Sequence, residues 1–118
     1  EILKPLLEAV SVPVLLFSRG AGNRLPAQQA LGTRALALDW QTPLPESRQL
    51  LGPGTTLQGN LDPLLLTTSP ETVQAHTRAL LDSLPHDPAW ILNTGHGVTP
   101  QTRIDCVHAL LATLGDEA

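Results

Sequence analysis

Four short segments with the character of buried strands, each followed by a helical pattern, constrain the fold most strongly. The strand-like segments are Val12–Phe17, Ala35–Leu38, Thr55–Gln58 and Ala89–Asn93. Val12–Phe17 is a continuous apolar run too short for a helix, which is typical of a strand buried on both faces of a parallel sheet. Strands that alternate with helices form right-handed parallel βαβ units. The sequence therefore predicts an α/β fold.

Helical patterns lie before, between and after these strands. Gly32 and Gly52 predict the ends of two helices, because glycine readily adopts the left-handed conformation that closes a helix. Ser69 as N-cap, with Pro70 at the first helical position, predicts the start of the clearest helix. The predicted helices comprise residues 1–10, 25–31, 46–51 and 70–84, followed by a last helix with Ile104, Val107, Leu111 and Leu114 on its apolar side.

The length of the chain limits the architectures that it can build. The chain has 118 residues, whereas a complete (β/α)8 barrel needs about 250. Four strand-helix units correspond to half of such a barrel or to an open doubly wound sheet. The loop Gly20-Ala21-Gly22 lacks the third glycine of a dinucleotide-binding fingerprint, so we expect no dinucleotide cofactor.

Composition excludes several classes of partner. The net charge is −4 and the seven Lys and Arg residues are dispersed, so no basic stripe predicts nucleic-acid binding. No apolar stretch approaches the roughly 20 residues that span a bilayer, and the N-terminus lacks the layout of a signal peptide. The single Cys106 leaves no internal disulfide and no paired thiolates for a metal. We expect a soluble cytoplasmic protein that binds neither membrane nor nucleic acid.

The first candidate site residue is His96, which lies in Gly95-His96-Gly97 directly after the fourth predicted strand. The carboxyl ends of parallel strands are where α/β folds bind ligands, and the glycines give the backbone freedom to bend. His96 there can donate a hydrogen bond to a substrate carboxylate or carbonyl. The alternative is a loop histidine bonded to backbone.

Charged residues after the other strands are weaker candidates. Arg19 follows the first strand and could bind an acidic substrate, although an arginine there more often pairs with a carboxylate such as Asp39. Asp39 and Asp62 could be acid-base groups, but we favour structural roles, since Asp62-Pro63 is an ordinary helix-opening pair. Asn60 is expected to satisfy backbone donors of its loop.

The remaining histidines are not predicted to act in a site. His108 lies between Ile104 and Leu111 on the apolar side of the last helix, which predicts a partly buried structural histidine. His76 and His86 are expected at the surface. Because the histidines are scattered and Cys106 is the sole thiol, no ligand spacing of the zinc type is present and we expect no metal site.

Four stretches resemble the uroporphyrinogen decarboxylase family, a group of carboxy-lyases in haem and porphyrin biosynthesis. The stretches are Pro13–Gly20 (PVLLFSRG), Ala37–Gln41 (ALDWQ), Leu57–Pro63 (LQGNLDP) and Leu92–Pro100 (LNTGHGVTP). They occur in the order and with the spacing of the family over almost the whole chain. LQGNLDP followed about thirty residues later by N-x-GHG-x-x-P is the most specific part of the resemblance.

The resemblance implies a (β/α)8 barrel of which residues 1–118 are the C-terminal half, with the last four strand-helix units. It also implies cofactor-free decarboxylation of the four acetate side chains of uroporphyrinogen III, which gives coproporphyrinogen III, by a protein that forms a homodimer. His96 becomes the main substrate-binding residue and Arg19 a second one. The family's substrate-gripping arginines and its key aspartate precede this stretch, so we expect no catalytic residue in it and no turnover by these 118 residues alone.

The sequence is also compatible with two other hypotheses about function. A corrinoid-dependent or cobalamin-independent methyltransferase has a similar fold but binds zinc through thiolates, and this chain has His96 where such proteins have cysteine. A half-barrel without catalytic activity could instead assemble with copies of itself, because half of a barrel exposes two strand edges and apolar surface.

Overall fold

A parallel sheet of four strands organises the structure, a computed structural model that describes residues 2–115. The strands pair in the sequential order β1-β2-β3-β4, where β1 is Leu15–Phe17, β2 Ala35–Ala37, β3 Thr56–Gln58 and β4 Trp90–Ile91. A doubly wound sheet reverses its strand order at a switch point, and this sheet does not. The α/β prediction is confirmed, and the sequential order is that of half a (β/α)8 barrel.

The helices lie where the sequence predicts them, with bounds that differ by a few residues. Gly32 and Gly52 have φ of +78° and +72° at the predicted helix ends, and the Ser69 hydroxyl accepts a hydrogen bond from the backbone N–H of Thr72 at 3.3 Å. No helix in the range 2–115 is long and apolar enough to cross a membrane. The helices are α1 (Leu3–Glu8), α2 (Leu25–Gln29), α3 (Leu44–Leu51), α4 (Pro70–Ser83) and α5 (Ile104–Gly115). There are also two 3₁₀ turns: Gly22–Arg24, which the sequence did not predict, and Pro63–Thr67, which begins at the predicted helix-opening pair Asp62-Pro63.

Glu1 and residues 116–118 lie outside the described residues. The prediction of a helix over residues 1–10 is therefore tested only from residue 2, and α1 is shorter than that segment. The prediction of a single domain over residues 1–118 likewise extends beyond the described range at both ends.

The two faces of the sheet differ in burial. One face packs against helices, where Leu36 and Leu57 are fully buried in a cluster that includes Leu25, Leu38, Leu44 and Leu51. The strand register places Phe17, Ala37, Gln58 and Ile91 in one row on the opposite face, which we call the open face. Phe17 is 42% exposed and Ile91 is 47% exposed. The open face has the position of the interior of a barrel.

The apolar side predicted for α5 is partly wrong. The buried residues of α5 are Cys106, Ala109 and Thr113, whereas Ile104 and Leu111 are 70% and 58% exposed. Cys106 packs with Val73 of α4 and with Leu66, and small side chains allow such close approach between elements. His108 is consequently exposed, and the prediction of a partly buried structural histidine is wrong.

Candidate functional site

The four stretches singled out in the sequence meet at the carboxyl edge of the sheet. Three of them begin at or before the end of a strand and continue into the loop that follows, and the fourth begins directly after β4. The edge is extended beyond β3 and β4 by a parallel bridge between Leu61 and Thr94, in which the Leu61 N–H donates to the Asn93 carbonyl at 3.0 Å. The fold therefore gathers these loops into one place, as parallel strands must.

Asp39 is the buried anchor of this edge, with 2% of its surface exposed. One carboxylate oxygen accepts from the Gly20 N–H at 2.5 Å, and the other from the Gln41 N–H at 3.1 Å and the Thr42 hydroxyl at 2.7 Å. Burial acts to raise the pKa of Asp39, but the hydrogen bonds from Thr42, Gly20 and Gln41 outweigh it and lower the pKa below its usual value. A carboxylate held in this way stabilises loops, as favoured from the sequence.

Asn60 links the β3 loop to the β2 loop. Its side-chain amide donates to the Asp39 carbonyl at 2.7 Å and also to the Thr42 carbonyl. The expectation that Asn60 satisfies backbone donors is therefore wrong in its direction, because the amide satisfies acceptors. Gly59 precedes it with φ of +129°, where a Cβ atom would lie 2.8 Å from the Leu38 carbonyl oxygen. Glycine at this position allows the two loops to approach.

Gly95 brings the loop that carries His96 against the β2 loop. Its N–H donates to the Leu61 carbonyl at 2.7 Å, and a Cβ atom built on it would lie 2.3 Å from the Trp40 backbone nitrogen. Such a distance is far inside van der Waals contact, so any side chain here would force the loops apart. Gly97 has open space around its Cα. Glycine is therefore required before His96 because the two loops approach each other closely. The sequence pattern instead indicated that the glycine gives the backbone freedom to bend.

His96 is exposed at this edge and lies between two aromatic rings. Its ring centroid is 6.4 Å from that of Phe17 and 5.8 Å from that of Trp40, with interplanar angles of 73° and 88°. Nδ1 lies 3.4 Å from the Gly97 carbonyl oxygen, a long contact that only one tautomer can make. The imidazole is therefore oriented mainly by its aromatic neighbours and keeps its hydrogen-bonding capacity for a ligand.

Arg19 contacts Trp40 and not Asp39. Its guanidinium carbon lies 5.5 Å from the centroid of the Trp40 ring, which is cation–π geometry. The structure of residues 2–115 contains no Arg19–Asp39 ion pair, and the Asp39 carboxylate accepts from Gly20, Gln41 and Thr42. The alternative prediction that Arg19 pairs with Asp39 is wrong, because the backbone of the first loop, and not its arginine side chain, contacts the buried carboxylate.

A cavity of about 340 Å³ opens on the open face beneath His96. Leu15, Phe17 and Ala37 supply its apolar part, and Gln58, Asn93 and His96 its polar part. A mainly apolar wall with a few polar groups is typical of a ligand site. The sequence identified His96 but not Gln58 or Asn93, although Gln58 alternates with the buried Leu57 and so had to lie on the opposite face.

The other acidic and histidine candidates lie away from this cavity or are occupied. Asp62 accepts a hydrogen bond from the Leu64 N–H at 2.9 Å and caps the turn that follows, as the structural interpretation predicted. His76 and His86 are exposed, which confirms their expected surface positions. Among the described side chains, no three His, Cys, Asp or Glu residues come together where a metal ion could be held.

A comparison with known families identifies the group to which these loops belong. The sequence profile of the family described as Uroporphyrinogen decarboxylase (URO-D) matches residues 1–116. This chain belongs to the uroporphyrinogen decarboxylase family. The resemblance inferred from its four stretches is thereby confirmed.

Curated relatives support the same assignment. The chain is 40% identical over 102 residues to "Uroporphyrinogen decarboxylase" from Alcanivorax borkumensis, a match that covers 86% of this chain and 28% of the relative. It is 38% identical over 111 residues to the protein of the same description from Dichelobacter nodosus, covering 92% of this chain and 32% of the relative. The chain thus spans about a third of the length of these decarboxylases.

A solved structure extends the comparison to the fold. A methyltransferase from Methanosarcina mazei superposes with a TM-score of 0.83 over 98% of this chain and 34% of its own, at 22% sequence identity. Identity at this level shows a shared fold alone.

Proposed function

We propose that the complete protein carrying this chain is a uroporphyrinogen decarboxylase. It removes carbon dioxide from the four acetate side chains of uroporphyrinogen III, leaves methyl groups and yields coproporphyrinogen III in porphyrin and haem biosynthesis, without a cofactor. Membership of the family supports the reaction class. The observation that carries the proposal is the placement of His96 over a cavity at the carboxyl edge of a parallel sheet.

The reaction makes two demands on a site. Protonation of a pyrrole carbon gives a cationic ring that accepts the electron pair of the carbon–carboxylate bond, and carbon dioxide leaves. A second proton then completes the methyl group and the ring returns its first proton. The enzyme must hold the acidic substrate in register and stabilise the transient cation. A cavity with an apolar wall and cationic or hydrogen-bonding groups at its rim suits the first demand.

His96 and Arg19 are proposed as substrate-binding residues. His96 lines the cavity. Arg19 is not among the residues that line it, but its positive charge lies against Trp40, which is itself a neighbour of His96. Asp39 is buried and accepts three hydrogen bonds from its own loops, so it is not free to serve as a proton donor. We propose that the essential acid lies in the rest of the complete protein. This chain forms the C-terminal half of the barrel, with its last four strand-helix units.

Two features of the complete protein follow from the same proposal. The buried, unpaired Cys106 suits a reducing compartment, and we place the protein in the cytoplasm as a homodimer. The chain alone exposes both sheet edges and apolar side chains such as Phe17 and Ile91. A polypeptide of residues 1–118 by itself is therefore expected to be inactive and to self-associate.

The test is a direct assay of the complete protein with uroporphyrinogen III under anaerobic conditions, with no added metal or cofactor. The expected products are coproporphyrinogen III and four equivalents of carbon dioxide, separated by chromatography after oxidation to the porphyrins. The 118-residue polypeptide is assayed in parallel and should give no product. Release of no carbon dioxide by the complete, folded protein would contradict the proposed activity, and turnover by the short polypeptide at a comparable rate would contradict the division of roles.

A further inference from the structure

Trp40 is the common neighbour of the two proposed substrate-binding residues. The Arg19 guanidinium carbon lies 5.5 Å from the centroid of its ring. The His96 ring centroid lies 5.8 Å away, nearly perpendicular at 88°. Trp40 itself does not line the cavity beneath His96. Any effect of its ring on a ligand in that cavity must therefore act through other side chains.

The backbone of Trp40 is fixed on both sides. The preceding residue, Asp39, is buried and bound by the Gly20 N–H at 2.5 Å, and its carbonyl accepts from the Asn60 amide at 2.7 Å. The following residues are held because the Thr42 N–H donates back to the Asp39 carbonyl at 3.2 Å. Gly95 packs directly on the Trp40 nitrogen. These four contacts between loops thus fix the backbone position from which the Trp40 side chain extends.

His96 and Arg19 lack comparable anchors of their own. The His96 ring has one long contact, 3.4 Å from Nδ1 to the Gly97 carbonyl oxygen, and its aromatic neighbours. Arg19 is exposed, and within residues 2–115 its contact with the Trp40 ring is the one interaction of its guanidinium. Aromatic pairs and exposed cation–π contacts are weak individually, but they restrict rotamers that are otherwise free. The orientation of Arg19 therefore depends on the indole, and that of His96 depends on the indole together with the Phe17 ring.

We propose that Trp40 is a positioning residue of the decarboxylase site, whose ring orients the His96 imidazole and the Arg19 guanidinium toward the substrate. The inference rests on the proposed function for its substrate and on the loop geometry for its mechanism. Because His96 and Arg19 act in binding, loss of the ring should appear mainly in KM. Two weak contacts that act together correspond to about a tenfold change in KM.

The experiment uses the complete protein and three variants. Trp40→Leu removes the aromatic ring but keeps apolar bulk, Trp40→Phe keeps a ring, and Arg48→Met destabilises the opposite end of the sheet as a matched control. KM and kcat are measured for uroporphyrinogen III. We expect Trp40→Leu to raise KM about tenfold with kcat changed less than threefold, and Trp40→Phe to restore KM to within about threefold. Arg48→Met should leave KM unchanged below its unfolding transition.

A second readout does not require substrate. The ring resonances of His96 are assigned by their loss in His96→Ala and followed by NMR. Nuclear Overhauser contacts between the indole and imidazole protons should be present in the wild type, and the His96 resonances should move in Trp40→Leu but not in Arg48→Met. This readout remains valid if the complete protein acts on another substrate, so failure of the proposed reaction and failure of the positioning role are distinguishable.

A double-mutant cycle decides whether Trp40 acts through His96. In the His96→Ala background, Trp40→Leu should raise KM by no more than about threefold, since only the Arg19 contact remains to be lost. Full additivity of the two substitutions would overturn the proposal. So would the absence of indole–imidazole contacts in the wild type, a measurement that holds even if Trp40→Leu does not fold.

Discussion

The two ends of the sheet carry similar side chains in different environments. At the amino end, Arg48 is almost buried and bonded throughout: its Nε donates to Asp87 at 2.7 Å, and its other nitrogens donate to the carbonyls of Gly52, Thr55 and Ala89 at 2.7–3.0 Å. At the carboxyl end, Arg19 and His96 are exposed and touch mainly aromatic rings. The Arg48 side chain at the amino end therefore links parts of the fold to one another, whereas the Arg19 and His96 side chains at the carboxyl end are exposed.

The difference shows where the carboxyl end obtains its stability. Its loops are held by buried neutral and anionic groups, namely the Asp39 carboxylate and the Asn60 amide, and by the contact of Gly95 with the Trp40 backbone. These groups lie one layer beneath the surface that a ligand would meet. Substitutions at the amino end should therefore change stability alone, whereas those in the buried layer of the carboxyl end should change stability and binding together.

The largest expected effect comes from Gly95→Ala. The added Cβ would overlap the Trp40 backbone, so the loops must separate and His96 moves with them. We expect a loss of about 3 kcal/mol in the free energy of unfolding and, because His96 is displaced from its position at the cavity, a loss in kcat/KM that approaches the ten- to a hundredfold loss expected when the imidazole is removed. Chemical denaturation and steady-state kinetics of the complete protein measure the two quantities.

Gly97→Ala is the matched control for this substitution. Nothing lies within 4 Å of a Cβ atom at Gly97, and its φ lies outside the left-handed region. Its cost in the free energy of unfolding should be below about 0.5 kcal/mol. Equal destabilisation by the two substitutions would mean that the close approach of Gly95 to the β2 loop does not hold the carboxyl edge.

His96→Ala removes the exposed imidazole and should lower kcat/KM ten- to a hundredfold. One hydrogen bond to a charged group is worth about 1.5–3 kcal/mol, and the proposed substrate, which has eight carboxylates, would be held by many contacts. The measurement is the pH profile of kcat/KM for both proteins.

His108→Ala provides the control, since His108 is exposed on α5 and is not among the residues that line the cavity. Its kcat/KM should stay within about twofold of the wild type. A loss beyond about ten-thousandfold for His96→Ala at every pH would instead identify His96 as the essential proton donor and remove the distinction drawn above between binding and acid catalysis.

Arg48→Met tests the amino end. The substitution leaves the Asp87 carboxylate and three backbone carbonyls without their donor, at a site where the two side chains are 13% and 14% exposed. We expect a loss of about 2 kcal/mol in the free energy of unfolding, read from the urea midpoint with an unchanged slope. The Arg103–Asp105 pair is about half exposed and screened by solvent, so Arg103→Met should destabilise the protein clearly less than Arg48→Met. A changed KM in Arg48→Met would break the separation of the two ends.

Sequence patterns predicted this fold well because the backbone rules that produce it are local. Gly32, Gly52 and Ser69 mark helix ends by chemistry that needs no tertiary contact. The exposed side of α5 was assigned wrongly because Ile104 and Leu111 have the right spacing, and only the close packing of Cys106 against Val73 decides which side is buried. The bond from Asn60 to Asp39 and the contact of Gly95 with Trp40 depend on loops that meet across the sheet, and no single stretch of sequence specifies them.

The smallest expected effect is the acid dependence contributed by Asp39. Its pKa is lowered in the folded protein, where burial is outweighed by hydrogen bonds from Thr42, Gly20 and Gln41. A depressed pKa means that the ionised group favours the folded state: this stability is present above the ordinary aspartate pKa of about 3.9 and is lost as the pH falls through the lower folded value. Asp39→Asn places an N–H group where an acceptor is required, at a cost of about 1 kcal/mol near neutral pH.

The measurement is the free energy of unfolding of wild type and Asp39→Asn between pH 7 and pH 3, and the difference should shrink at the acid end. Asp62→Asn is the control, because asparagine caps a helix start as well as aspartate does and the acceptor for Leu64 is kept. Other carboxylates also lose charge in acid, but their effect on the free energy of unfolding is the same in both proteins and cancels in the difference. A difference that stays constant down to pH 3 would show that the buried layer of the carboxyl end depends on the shape of Asp39 and not on its charge, and the two ends of the sheet would then differ less than their bonding indicates.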